Sequence, residues 1–186
     1  MTPLARYSGH PLIQRRALSH VLNIRASAIK RATELNKDLQ ATQFIIAHLG
    51  GGISVAAVQG GQIIDVNDAA SDGPFTPERS GSLPMQQFTD LCFSGQYSKA
   101  EVKKMIMGNG GLRAYLGTAD VSQVEARISA GDVKARQVFE AMIYQIAKEV
   151  GAMTCVLGRV DNIILTGGLT HSSMLVDLLT ARIRHI

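Results

Sequence analysis

The chain contains no tryptophan, and only 5% of its 186 residues are aromatic. Stacking of nucleic-acid bases on aromatic side chains has little to work with here. Charge of one sign is not concentrated either. The formal net charge is +4, but Lys and Arg are scattered, and the densest group, Arg25 to Arg31, falls on an expected helix beside Ala and Ile. That is mild attraction for anionic ligands rather than a nucleic-acid-binding stripe. There are two cysteines, Cys92 and Cys155, far apart and in apolar surroundings. They read as buried, reduced thiols, and no metal-ligand spacing involves them. No apolar run approaches the roughly 20 residues of a membrane span. The opening "MTPLARYSGH" lacks the apolar segment of a signal peptide. The expectation is a cytoplasmic protein with neither nucleic acid nor membrane as partner.

What is present is 46% hydrophobic residues, enough for one compact domain with a real core. Residues 11–36 carry Leu18, Val21, Leu22, Ile29 and Ala32 near helical spacing and predict a helix. Three short strands follow: "FIIAHL", "ISVAAVQ" and "GGQIIDVN", the last entered through a tight turn at Gly60-Gly61. Together they read as an antiparallel meander. Residues 68–84, rich in Gly, Pro, Ser and Asp, form a long loop, and long ordered loops tend to be functional. Helices are expected at 85–93, 99–107, 121–129 and 133–157, with "GNGGLRAYLGT" as a Gly-rich connector. The long helix lines up Ala141, Ala147, Gly151 and Ala152, which predicts a close crossing of the sheet. "VDNIILTGGLTHSS" is a strand, a Gly-Gly turn and a helix start with Ser172 or Ser173 as N-cap, leading into a final amphipathic helix. This order indicates an α/β fold: a three-stranded antiparallel meander extended by parallel strands.

Two glycine-rich turns raise the question of function. Gly50, Gly51 and Gly52 fall between two strands, where a backbone without Cβ atoms can turn sharply and present N–H groups to a phosphate. From the glycines alone, a plain hairpin with a bulge is the simpler account. His48, just before them, is placed to donate to a phosphoryl oxygen, although a histidine at a strand end is often only structural. "LTGGLTHS" repeats the pattern, with a strand delivering two glycines to a helix start, where ligands gather in α/β folds. Neither G-x-G-x-x-G nor the P-loop pattern G-x-x-x-x-G-K-[ST] occurs, so any nucleotide must be bound by a different architecture. In the long loop, Arg79 is a candidate clamp for a transferring phosphoryl group. Taken alone, it reads better as a surface residue pairing with Glu78.

In their order and spacing, "AHLGGGISV", "DGPFTPERSGSLP", "DLCFSG", "YQIAKEVGAM" and "IILTGGL" closely resemble the acetate kinase family, nearest its butyrate kinase branch. Branched-chain fatty-acid kinases share the pattern. The similarity runs from about Tyr7 to the end of the chain. It implies a ribonuclease-H-like domain of the actin-like, sugar-kinase-like ATPase superfamily, with helices on both faces of the sheet. It also implies reversible transfer of the ATP γ-phosphoryl group to a short-chain carboxylate such as butyrate, giving an acyl phosphate and ADP, with Mg²⁺ assisting through ligands that the sequence does not name.

The resemblance carries over residue by residue. "AHLGGGIS" matches the family's second phosphate motif, so His48 and Gly50 to Gly52 would face the phosphoryl groups, with Gly51 standing where acetate kinases have Asn. "LSHVLNIRA" resembles a segment with a site histidine, which makes His20 a candidate contact for the transferring group. "TPERSG" resembles the loop of a transition-state arginine, which points to Arg79. "LTGGL" matches the adenosine turn, so Gly167, Gly168 and Leu169 would lie against base or ribose. The family places Asp-x-Arg after the Gly-rich connector; here Asp120 is present and Ser122 stands at the Arg position, which implies weaker nucleotide binding. Family members run to nearly twice this length. Residues 1–186 are thus expected to form a single kinase domain corresponding to the C-terminal-domain portion of a two-domain acyl kinase, without its N-terminal domain and C-terminal tail. The family implies a homodimer or higher oligomer. On its own the chain is expected to be inactive or weakly nucleotide-binding, and a non-catalytic, self-associating remnant is the rival account.

Overall fold

A computed structural model describes residues 1–186. Its centre is a mixed sheet of β1 (Gln43–Leu49), β2 (Ile53–Gln59), β3 (Gln62–Val66) and β4 (Asn162–Thr166), in the order β3-β2-β1-β4. β1, β2 and β3 form the expected meander. One strand, β4, extends it by pairing parallel to β1. The β2–β3 turn places both Gly60 and Gly61 at positive φ, +56° and +73°. This is the backbone that a two-residue hairpin needs to match strand twist.

β1 reads as a continuous apolar run because both faces of the sheet are covered. Phe44 and Ile46, with Ala56 and Val58 of β2, face α1 (Val21–Glu34) in a core of eight buried residues. Ile45, Ala47 and Leu49, with Ile53, Val55 and Ala57, belong to a larger core of 21 residues on the opposite face. That core is completed by α4 (Gly111–Leu116), α5 (Val121–Ser129), α6 (Val133–Leu157) and α7 (Ser173–Ile183). Between the meander and α4 lie α2 (Met85–Phe93) and α3 (Lys99–Ile106), with a capping box at Ser98 and Glu101 starting α3.

Four local expectations are corrected. α1 begins at Val21 rather than near residue 11. The backbone before it is drawn out alongside the long loop, with Ala69 N–H donating to the Leu18 carbonyl at 2.9 Å. Its buried stripe is Ile24, Ala28 and Ala32, while Leu18, Val21, Leu22 and Ile29 are exposed, because only one face of the helix rests on the sheet. In α6, the buried stripe is Phe139, Met142, Ile143, Ile146, Val150 and Met153, and Ala141 and Ala152 face solvent. The larger side chains remove more apolar area from water, so they decide which face turns inward. "GNGGLRAYLGT" is not a bare connector, since it contains α4 with Leu112 fully buried. Finally, Cys155 is exposed and Cys92 only half-buried; Cys155 lies off the α6 stripe that enters the core.

Candidate functional site

β1 and β4 run parallel and end together, with His48 opposite Thr166 in the register. Beyond these ends lie Gly50–Gly52 on one strand and Gly167–Gly168 on the other. Gly167 has φ +92°, and a Cβ there would overlap the Leu49 carbonyl. Only glycine allows this turn to close against the end of β1. The two glycine turns that stand out in the sequence therefore sit at one edge of the sheet.

Two histidines meet beside the first turn. His20 is the residue immediately before α1, and its Nδ1 is 2.9 Å from the hydroxyl of Ser54 on β2. His48, on β1, has its Nδ1 2.9 Å from Oδ1 of Asn23 on α1. The rings stack with centroids 3.7 Å apart at 14°. With each Nδ1 engaged, each ring keeps its Nε2 edge for a ligand, and His48 Nε2 lies beside Gly50. Burial holds the His20 imidazole below its ordinary value, and the Arg79 guanidinium adds to the effect. His48 is lowered by burial and then by His20.

Arg79 approaches from the long loop. Its guanidinium lies across Gly52, with Nη1 2.5 Å from where a Cβ would stand. Nη1 donates to the Ala69 carbonyl at 2.6 Å, and Nε is buried without a partner. The Arg79–Glu78 pair that the sequence allowed does not form. Glu78 faces Arg113 at 3.7 Å instead, with Oε1 near Gly51. Thr76 joins the parts: its hydroxyl donates to the Gly51 carbonyl at 2.6 Å and accepts the N–H groups of Glu78 and Arg79 at 3.2 and 3.0 Å. Asn67 anchors the start of the loop, replacing ladder partners by accepting from Val55 N–H at 2.7 Å and donating to the Ile53 carbonyl at 3.0 Å.

Asp120, Gly168 and Leu169 line a second, open cleft of about 340 Å³ with Ser122 and Glu125. Asp120 also caps α5, accepting Ser122 N–H at 2.9 Å and Gln123 Nε2–H at 3.2 Å. Ser172, one of the two expected caps, closes α7 by accepting Leu175 N–H at 2.9 Å. Gly168 and Leu169 lie in a 3₁₀ turn, Gly168–His171, between β4 and α7. No three His, Cys, Asp or Glu side chains gather into a metal-binding group.

Of the sequence-derived candidates, His20, His48, Arg79 and Gly50 to Gly52 converge in one place. Asp120, Gly168 and Leu169 share the second cleft, and Gly167 packs on the strand that leads into the first. Sequence reasoning missed Asn23, Ser54 and Thr76. Ser54, a hydroxyl in an otherwise apolar strand, was the one visible signal.

This arrangement offers a guanidinium, two imidazole edges and a glycine turn to an anion, and a separate open cleft next to the adjoining strand end. Residues 16–184 match the model of the Acetokinase family. The chain is 52% identical over 185 residues to a probable butyrate kinase of Listeria welshimeri, covering 98% of this chain and 51% of that protein. It is 53% identical over 180 residues to probable butyrate kinase 2 of Caldanaerobacter subterraneus, covering 96% and 51%. It thus spans about half the length of the curated relatives it matches. The crystal structure of Porphyromonas gingivalis acetate kinase superposes with a TM-score of 0.89 at 22% identity, over 100% of this chain and 49% of that one; at that identity the likeness speaks for the α/β fold alone. With most of its length matched by the family model and half its residues shared with these relatives, the chain belongs to the acetokinase family.

Proposed function

We propose that this chain supplies the phosphoryl- and adenosine-binding wall of a butyrate kinase, an enzyme that moves the γ-phosphoryl group of ATP to the carboxylate of butyrate or a similar short acid. The observation that carries this reading is the meeting of His20, His48 and Arg79 around Gly50–Gly52. A carboxylate is already ionised at neutral pH, so the nucleophile needs no general base. A carboxylate oxygen attacks phosphorus in line, the bond to the β-phosphate oxygen breaks, and ADP leaves with that electron pair. Arg79 neutralises charge on the equatorial oxygens, and the imidazole edges of His20 and His48 hydrogen-bond to them. Asp120, Gly167, Gly168 and Leu169 face the nucleoside. Mg²⁺ in such enzymes neutralises phosphate charge.

The likeness to proteins twice as long supports reading residues 1–186 as one domain of a two-domain enzyme. Catalysis then needs the other half of the cleft. The test is a chimaera in which this chain replaces the matching half of the Listeria welshimeri protein, assayed by hydroxamate trapping with butyrate, ATP and Mg²⁺. Butyryl hydroxamate is expected from the chimaera, with a trace at most from the chain alone. A folded chimaera that binds ADP but phosphorylates no acid of two to five carbons overturns the reading.

A second reading is self-association. None of the nine residues of α2 is buried, and Met85 and Phe93 are 71% and 87% exposed. Such a surface suits a second copy of the chain. Light scattering distinguishes monomer from dimer.

A further inference from the structure

Thr76 is nearly inaccessible, with 1% of the residue exposed, and three hydrogen bonds converge on its one hydroxyl. Their directions are fixed by chemistry, because a carbonyl can only accept and a backbone N–H can only donate. The hydroxyl therefore gives its proton to the Gly51 carbonyl and receives the N–H groups of Glu78 and Arg79. Its backbone adds a fourth and a fifth link: Thr76 N–H donates to the Arg79 carbonyl at 3.0 Å, and the Thr76 carbonyl accepts Leu112 N–H at 3.1 Å. Against that carbonyl sits Gly111, at φ +57°, where any Cβ would overlap it. Thr76 thus fastens the glycine turn, the Arg79 loop and the start of α4 to one another.

We propose that Thr76 is a positioning residue that sets Arg79 against the glycine turn. The inference rests on the reading of that turn as a phosphoryl site, but the contact geometry behind it does not. Arg79 itself makes one side-chain hydrogen bond, to the Ala69 carbonyl, and leaves Nε buried and unpaired. Its side chain is held weakly, so its direction depends on where its own backbone is held. The Thr76 hydroxyl holds that backbone and, through the Gly51 carbonyl, the turn across which the guanidinium lies. Without the hydroxyl, Gly51 loses its donor and two N–H groups lose their acceptor, all close to Arg79.

The test compares Thr76→Val, which keeps the shape and removes the hydroxyl, with Thr76→Ser, which keeps the hydroxyl. The first readout needs no ligand. The Arg79 Nε–H resonance, identified by its loss in Arg79→Ala, should be shifted and protected in the wild type and in Thr76→Ser, and move to the solvent-exposed value in Thr76→Val. An unchanged Arg79 resonance in Thr76→Val overturns the proposal. If Thr76→Val does not fold, the wild type decides: a slowly exchanging Thr76 hydroxyl proton with cross-peaks to Arg79 N–H supports the proposal, and its absence overturns it. The second readout is titration with pyrophosphate. Thr76→Val should weaken binding about tenfold, the loss expected when a buried partner is left unsatisfied. Thr76→Ser should restore it, and Thr76→Val combined with Arg79→Ala should lose no more than Arg79→Ala alone. Additive losses mean that Thr76 does not act through Arg79 and overturn the proposal. Failure of the wild type to bind pyrophosphate overturns the phosphoryl-site reading instead, and leaves the resonance to decide the role of Thr76.

Discussion

The guanidinium of Arg79 lies directly over Gly52, with Nη1 2.5 Å from where a Cβ at that position would stand. The glycine is the floor on which the arginine rests. Gly52→Ala is therefore expected to push Arg79 aside while leaving β1 and β2 paired, since the strands themselves gain nothing to clash with. In the chimaeric kinase described above, acyl phosphate formation should fall on the order of 100-fold, the usual cost of losing one transition-state donor. Arg79→Ala should show a similar fall with ADP affinity nearly intact. Hydroxamate assays and calorimetric titration check both, and full turnover in either variant removes Arg79 from the chemistry.

The two imidazoles give the folded chain an acid-sensitive edge. Both are held below the ordinary value of 6.5, chiefly by burial. As pH falls through that value the unfolded chain takes up protons that the folded chain refuses, so stability decreases there and is flat above. The melting temperature should drop as pH falls below about 6.5. The drop should be shallower in the double variant His20→Asn, His48→Asn. An equal slope in the two proteins places the titrating groups elsewhere.

Glu149 has the opposite sign. Burial raises its carboxyl above 4.5, with Asp72 and Asp65 adding to the effect and Arg15 and Lys148 opposing it. Stability therefore falls as pH rises through the window above 4.5, because the unfolded chain releases this proton first. Glu149→Gln should melt higher than the wild type at pH 7. The advantage should vanish near about pH 4, where the side chain is protonated in both states. A lower melting temperature at pH 7 would show that the attraction to Arg15 outweighs burial.

Ser122 lines the cleft shared by Asp120, Gly168 and Leu169, at the position where the resemblance to the acetate kinase family leads one to expect arginine. A guanidinium there adds stacking and hydrogen-bonding capacity that a hydroxyl lacks. Ser122→Arg should tighten ADP binding with little effect on melting temperature, the residue being exposed. Equal affinities would mean that the cleft does not hold the nucleoside.

Much of this architecture was legible in the sequence, and the exceptions share a cause. β2, α2, α5 and α6 have the expected boundaries, because strong periodicity and clear turn residues bound them. The inward faces of α1 and α6 were misjudged, because orientation depends on which stripe the sheet buries, and helical spacing alone offers several. Glycine was also ambiguous. Gly110 and Gly111 looked like slack in a connector, yet they sit where α4 presses on the Arg79–Thr76 loop. At the site, His48 stood out beside a glycine turn and Arg79 in the long loop, while His20 came only through the resemblance to the family. Asn23 and Thr76 did not stand out, because the Asn23–His48 and Thr76–Gly51 contacts each join residues 25 apart and appear only when the chain is folded.

The unequal covering of the sheet has a dynamic consequence. α1 is held by a core of eight buried residues, while the opposite face is held by 21. Partial opening is cheapest where the least apolar surface is released, so the amides of α1 should exchange with solvent before those of α6. His20 and Asn23 would travel with α1, whereas His48, Ser54 and the glycine turn stay on the sheet. One event short of unfolding would then unstack the imidazoles and release both Nδ1 contacts. The proposed anion-binding edge has a fixed bank and a detachable one, and a phosphoryl group bridging them would slow hydrogen exchange across α1.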